Sequence, residues 1–269
     1  MSSGDGDKPV YIGGVVDLKS FTKHEKIAGL LKSGKVGFYM QESGIFGASL
    51  NGSLESIAKA MAGTGPGEAE IGLKAPDWFT EHWDATWVKA GLSPTRINVI
   101  IDFMADDWLK DFKTMVDIAK TRGVTSLAPI FSPNGDDMSL DDFATNPAYA
   151  EIAEAALYGG ALTLDPPPNY FFYRGEAYQE FSYGQLRWAR ENNLRSTVIM
   201  SPHGDNPDFR EHAIDFVGAF EKHDALPSSW AIEIYDSDNK VGIGSAREPN
   251  SIVSVALWLA ENAPVAGSE

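Results

Sequence analysis

Cysteine is absent from all 269 residues. That removes disulfides, thiolate nucleophiles, zinc–thiolate sites and iron–sulfur clusters in one step. It leaves the compartment open. Positive charge is scarce: 22 Lys and Arg stand against 38 Asp and Glu, giving a formal net charge of −16 and a pI near 4.7. Such a balance repels nucleic acid and anionic membranes and favours neutral or cationic ligands. Most of those charges are read as serving solubility. No unbroken apolar run reaches the ~18 residues of a membrane span. No Gly-x-Gly-x-x-Gly follows a strand, and no P-loop, His-x-His or His-Glu-x-x-His spacing occurs. Residues 1–9 carry neither a basic segment nor an apolar h-region, and read as a flexible polar leader rich in Gly, Ser and Asp. The expectation is an extracellular or periplasmic protein whose signal peptide has been removed, with a cytoplasmic one left open.

What is present is a repeated pattern. Hydrophobic residues make up 43% of the chain, enough for a substantial core. Eight short β-branched or apolar runs each end in a polar residue and lead into a helix-like stretch. They cover 10–17, 35–42, 69–74, 96–102, 126–132, 161–165, 195–201 and 230–236, the third being the least defined. Strands alternating with helical patterns predict a parallel sheet, and eight of them predict one closed (β/α)8 TIM barrel over 10–263, with 264–269 as a tail. Gly34 and Gly123 close two of the helices, and Ser53 precedes another as an N-cap. Trp83 and Trp87 stand four apart, so they share a helix face packed on the barrel. The stretches 131–136 and 200–205 repeat Ser-Pro-x-Gly-Asp directly after a strand, where proline stops the strand and glycine permits the turn.

Alternate residues of a barrel strand point into the barrel. In strand eight Ile232 and Ile234 suit the helix side, so Glu233 points inward. The same parity turns Asn98, Ile100 and Asp102 inward in strand four, and Ala161, Thr163 and Asp165 in strand six. It does so for Gly13, Val15 and Asp17 in strand one, and for Gly37, Tyr39 and Gln41 in strand two. A buried carboxylate is costly without partners, so an inward Glu233 is either paired or functional. In this fold the reacting groups lie at the C-terminal strand ends. That places Asp17, Gln41, Glu42, Asp102, Asp165, Ser201, His203 and Glu233 about the mouth.

Paired carboxylates across an open barrel mouth are the apparatus of glycosidic bond cleavage, one as general acid and the other as nucleophile or base. Glu233 is the expected acid because burial raises its pKa, with Asp102 or Asp165 as the ionised partner. Tyr39, Tyr170, Phe172, Tyr173 and Tyr235 would offer faces to sugar rings. Asp17, Gln41, Glu42, Ser201 and His203 complete the expected substrate-binding set. At the level of fold and acidic mouth, the chain resembles the sugar-active (β/α)8 glycoside hydrolases over nearly its whole length. The resemblance implies a secreted hydrolase acting on a neutral oligo- or polysaccharide with no cofactor. It departs from the best-known patterns of that group: Asp102 follows Ile101 where many retaining members have Asn-Glu, and strand seven ends in Ser-Pro-His rather than Glu. Two other readings stand beside it. Glu42, Asp102, Asp165, His203 and Glu233 would suit Mg²⁺ or Mn²⁺ in a sugar isomerase or epimerase. A non-catalytic barrel that binds a glycan or a partner protein would use the inward acids only as a hydrogen-bonded network.

Overall fold

The computed structural model describes residues 8–14, 24–42, 54–61, 67–73, 83, 88, 94–101, 107–131, 149–202, 208–234 and 250–267. Its strands are β1 (Val10–Gly14), β2 (Gly37–Gln41), β3 (Glu68–Gly72), β4 (Arg96–Ile100), β5 (Ser126–Phe131), β6 (Ala161–Leu164), β7 (Arg195–Met200) and β8 (Ser229–Ile234). They pair in sequence order, all parallel, and β1 closes onto β8 in a register from Val10↔Trp230 to Gly14↔Ile234. The chain is a (β/α)8 barrel, as the strand count predicts. Most strands stop one or two residues before the polar residue expected to end them. The third begins at Glu68 rather than Ala69 and so brings a further acid into the sheet.

The helices among the described residues are α1 (Glu25–Ser33), α2 (Leu54–Met61), α3 (Trp108–Lys120), α4 (Ala150–Gly159), α5 (Pro168–Tyr173), α6 (Glu176–Glu191), α7 (Phe209–Lys222) and α8 (Ile252–Asn262). None is long and apolar enough to cross a membrane. Gly34 closes α1 in the left-handed conformation at φ +71, a geometry that glycine adopts without a Cβ penalty. Trp83 is buried in the core between sheet and helices, as its spacing predicts, whereas Trp87 lies outside the described residues.

The period-2 pattern divides the strands into two environments. Val10, Ile12, Ile97, Val99, Trp230 and Ile232 join the large apolar core beneath the helices. The opposite parity fills the barrel. Tyr11, Tyr39, Ile130, Ile199 and Ala231 form a separate apolar cluster there, with Ile100 packed against it. The same parity carries a set of buried polar residues: Gln41, Glu68, Glu70, Arg96, Asn98, Thr163, Thr197, Ser229 and Glu233. The parity expected for Tyr39, Gln41, Asn98, Thr163 and Glu233 therefore agrees with their positions.

Two glycines make this interior fit. A Cβ on Gly13 would overlap the carbonyl oxygen of Tyr39, so β1 and β2 approach there only because the side chain is missing. A Cβ on Gly37 would overlap the ring of Tyr11, the same ring over which the Arg96 guanidinium sits at 4.8 Å. Gly37→Ala is expected to push that ring aside and cost about 1–3 kcal/mol of stability. Urea unfolding checks this, and a loss under about 0.5 kcal/mol would be that of an ordinary surface change.

At the far side of the barrel, Phe171 of α5 anchors its helix. Its ring stacks on Phe220 at 5.2 Å and meets Phe216 edge-on at 4.8 Å, and both of those rings reach Trp230. The Trp230 indole in turn donates to the carbonyl of Pro264 at 2.8 Å, which pins the end of the chain across the bottom of the barrel. The buried ring holds Tyr170, Phe172 and Tyr173 in place on the outer side of the same helix.

Candidate active site

Toward the C-terminal end of the barrel, one amide joins two carboxyl groups. Gln41 Nε2 donates to Glu233 Oε2 at 2.6 Å and to Glu70 Oε1 at 2.9 Å. The second oxygen of Glu70 accepts from Tyr39 Oη at 2.6 Å. Glu70 thus receives two donors, the pattern that suits a carboxylate. Glu233 is in a different position. It is 1% exposed, and burial pushes its carboxyl well above the usual range, with the charges of Glu70 and Asp165 adding to the effect. The hydrogen bond from Gln41 pulls the other way and does not prevail. Burial, together with the neighbouring carboxylates, also raises the Tyr39 phenol. The arrangement sets a carboxyl that holds its proton more tightly beside one that accepts two hydrogen bonds, the condition in which a carboxyl pair can both give and take a proton.

A second group lies deeper, toward the N-terminal ends of the strands. Glu68 Oε1 faces Arg96 Nη1 at 3.2 Å, and its Oε2 accepts from Asn98 Nδ2 at 3.2 Å. Thr197 Oγ1 reaches both oxygens at 3.4 Å and shares a 3.0 Å hydrogen bond with Ser229. Asn98 Oδ1 is satisfied by Thr163 at 2.6 Å. Burial pushes Glu68 up to about 7 against the pull of Asn98 and Thr197, and burial draws Arg96 down to about 10. A carboxyl that holds its proton more tightly when folded makes stability fall as pH rises, here from the ordinary 4.5 up to about 7. The fall amounts to roughly 3 kcal/mol. Glu68→Gln is therefore expected to flatten the stability–pH curve across that window. Unfolding midpoints at pH 4.5, 6 and 7.5 measure it, and parallel curves for the two proteins would contradict it.

The residues expected from sequence distribute unevenly. Glu233, Gln41 and Tyr39 meet in one network. Asp165 lies just past β6, where its charge acts on Glu233 and on Tyr178. Glu42, one residue beyond β2, accepts from the backbone N–H of Gly72 at 3.3 Å. Ser201 is buried just past β7. Tyr170, Phe172 and Tyr173 are exposed on α5, Tyr173 to 87%, with Arg174 lying 5.9 Å over the Tyr170 ring. Asp17, Asp102, His203 and Tyr235 lie outside the described residues, as does most of each Ser-Pro-x-Gly-Asp turn. Glu68 and Glu70 escaped the sequence reading. Their signal was the alternation Glu68-Ala69-Glu70-Ile71, in which both acids share the inward parity.

Among the described residues, no three His, Asp or Glu side chains gather as a metal-binding group. Between Glu70 and Glu233 stands the amide nitrogen of Gln41, a donor that cannot ligate a cation. Outside the barrel, a recess of about 490 Å³ runs along the first turns of α3 to the start of α4, lined by Asp107, Trp108, Lys113 and Glu151. It shares no lining residue with the barrel interior.

No protein-family model matches the chain, and no curated protein matches it. Solved structures do resemble it. A 3-hexulose-6-phosphate synthase is 12% identical over 93% of this chain and 98% of its own, with a TM-score of 0.53. A provisionally named deoxyribose-phosphate aldolase from Toxoplasma gondii ME49 is 15% identical over 96% and 93%, with a TM-score of 0.50. A sugar phosphate isomerase/epimerase from Parabacteroides distasonis ATCC 8503 is 10% identical over 97% of both chains, with a TM-score of 0.48. At these identities the likeness is one of fold, a (β/α)8 barrel with sugar-phosphate-related neighbours. These neighbours are not glycoside hydrolases, and the expectation of a glycosidase is corrected accordingly. The physical reason lies in Glu233. The acid that shares its Gln41 amide is Glu70 on β3, buried inside the barrel, where the expectation set a carboxyl pair across an open mouth.

Proposed function

We propose that this protein is a sugar-transforming enzyme of the isomerase or epimerase type, which moves a proton at a carbon beside the carbonyl of a small polyhydroxylated substrate. The observation that carries the reading is the Gln41 amide bridging Glu70 and Glu233. In the proposed reaction the ionised Glu70 takes the proton from carbon, and the bonding electrons move into an enediol as protonated Glu233 donates to the carbonyl oxygen. Glu70 then returns its proton to the neighbouring carbon while the other enediol hydroxyl gives its proton to Glu233, which regenerates both groups and consumes nothing else. Ile100, Ile130 and Ile199 supply an apolar wall that keeps the pair dry, the condition under which positioned charges act most strongly. Gln41 Oε1 is buried and has no hydrogen-bond partner, which leaves an acceptor for a substrate hydroxyl. Tyr170, Phe172 and Tyr173, exposed on α5, offer aromatic faces of the kind on which sugar rings stack. A metal-assisted version would draw on Asp102 and His203, which lie outside the described residues, and no step here runs through a metal.

The test is a panel of aldoses, ketoses and their phosphate esters, followed by NMR for interconversion. The phosphate esters are included because the similar 3-hexulose-6-phosphate synthase and deoxyribose-phosphate aldolase barrels are named for sugar phosphates. The same panel is run with a chelator present. Interconversion of at least one pair, insensitive to the chelator, is expected. A panel without any interconversion would overturn the reading.

A further inference from the structure

The deep Glu68 group and the Glu70–Glu233 pair are not separate. Asn98 Nδ2, which donates to Glu68 Oε2 at 3.2 Å, also reaches Tyr39 Oη at 3.5 Å. Tyr39 donates to Glu70 at 2.6 Å, and Gln41 carries the connection on to Glu233. An unbroken path of hydrogen bonds therefore runs up the barrel axis. It starts at Ser229 and Thr197, passes Glu68, Asn98, Tyr39, Glu70 and Gln41, and ends at Glu233. Every member of it is buried.

We propose that Glu68 is a positioning residue that sets the protonation of the Glu70–Glu233 pair from the barrel floor, the three carboxyls titrating as one connected unit. Three acids share this dry interior. The cations there are Arg96 from β4, paired with Glu68, and Arg195 at the foot of β7. Among the described residues, the other groups that can ionise are Tyr39 from β2, Tyr11 from β1 and Asp165 just past β6, whose charge acts on Glu233. Charge placed on Glu68 is felt at Tyr39, and charge on Glu70 is felt at both Tyr39 and Glu233. Charges buried in a medium of low dielectric interact far more strongly than they would in water, so each proton released makes the next harder to release. Glu68 lies one hydrogen-bonded layer below the reacting pair, and it acts through Asn98 and Tyr39 rather than on a substrate.

The proposal rests on the reading of Glu70 and Glu233 as the working pair, but the coupling belongs to the resting protein and is read without turnover. Carboxyl ¹³C NMR of the full-length protein, labelled at Glu, follows each titration in wild type, Glu68→Gln and Glu233→Gln. Glu68→Gln should lower the apparent pKa of Glu233 by about half a pH unit or more. Linkage is reciprocal in interaction free energy, so Glu233→Gln lowers the apparent pKa of Glu68 to the extent that Glu233 is ionised while Glu68 titrates. Thr197→Val keeps the carboxyl but removes a donor, so Glu68 stays neutral to higher pH and Glu233 should shift in the same direction as in Glu68→Gln. This second variant decides the matter if Glu68→Gln fails to fold. Titrations of Glu233 that superimpose in all these proteins overturn the proposal. Shifted titrations in a protein that interconverts no sugar would uphold the coupling and remove the function. Interconversion with independent titrations would do the reverse.

Discussion

Glu233→Gln is expected to lower turnover by about 10²–10⁴-fold, the range for loss of a general acid or base, while making the protein more stable. Glutamine has nearly the same shape and can still accept the hydrogen bond from Gln41, so the architecture survives. It cannot release a proton, so the chemistry does not. The stability gain follows from the sign of the shift. Burial holds the Glu233 proton in the folded protein well above the ordinary 4.5. The folded state then binds more protons than the unfolded state above that pH, and wild-type stability falls as pH rises. Glutamine has no proton to lose. The gain in Tm should be near zero at pH 4 and grow through neutrality into the alkaline range. Thermal unfolding at pH 4, 6 and 8, paired with a turnover assay, checks both halves. Activity kept within threefold, or a Tm difference that does not change with pH, would contradict the account.

Arg96→Met should have the largest effect on stability. The guanidinium lies 3.2 Å from Glu68 with both side chains buried, and it also caps the Tyr11 ring at 4.8 Å. Removing one partner of a buried pair leaves an uncompensated charge, at a cost of about 3–5 kcal/mol. For a chain of this length that is a fall in Tm on the order of 10 °C. The loss should be greatest at pH 8, where Glu68 is ionised. It should shrink at pH 5, where Glu68, pushed up to about 7, already carries its proton. Adding Glu68→Gln should restore most of the stability at pH 8. A loss of equal size at both pH values, or a double variant no better than the single one, would show that Arg96 acts by packing alone.

The barrel was legible because its strands are short and their apolar residues alternate or run together, and because glycines mark several helix ends. Val99 and Ile232 on one parity, with Asn98 and Glu233 on the other, were enough to separate the inside of the barrel from the helix side. β3 resisted for a physical reason. Its inward residues are Glu68 and Glu70, and two glutamates within four residues read as a solvated loop unless a partner for them is known. That partner is supplied from other strands: Arg96, Asn98, Tyr39 and Gln41, far away in sequence. The same step hid part of the site. Glu233 was correctly turned inward, and the described acid joined to it through Gln41 is Glu70, with Asp165 acting on it by charge and Asp102 outside the described residues. Only the closing of the barrel around Gln41 shows which acids share one amide.

The central claim is that Glu70 and Glu233 shuttle a proton at carbon, and turnover in D₂O tests it most directly. With an interconverting sugar pair in hand, the product is analysed by NMR at the carbon beside the carbonyl. The account predicts deuterium at that carbon, increasing with the number of turnovers, because the proton taken by Glu70 exchanges with solvent while the enediol persists. Complete interconversion with no deuterium there would mean that the hydrogen travels directly from carbon to carbon, and the carboxyl pair would lose its role.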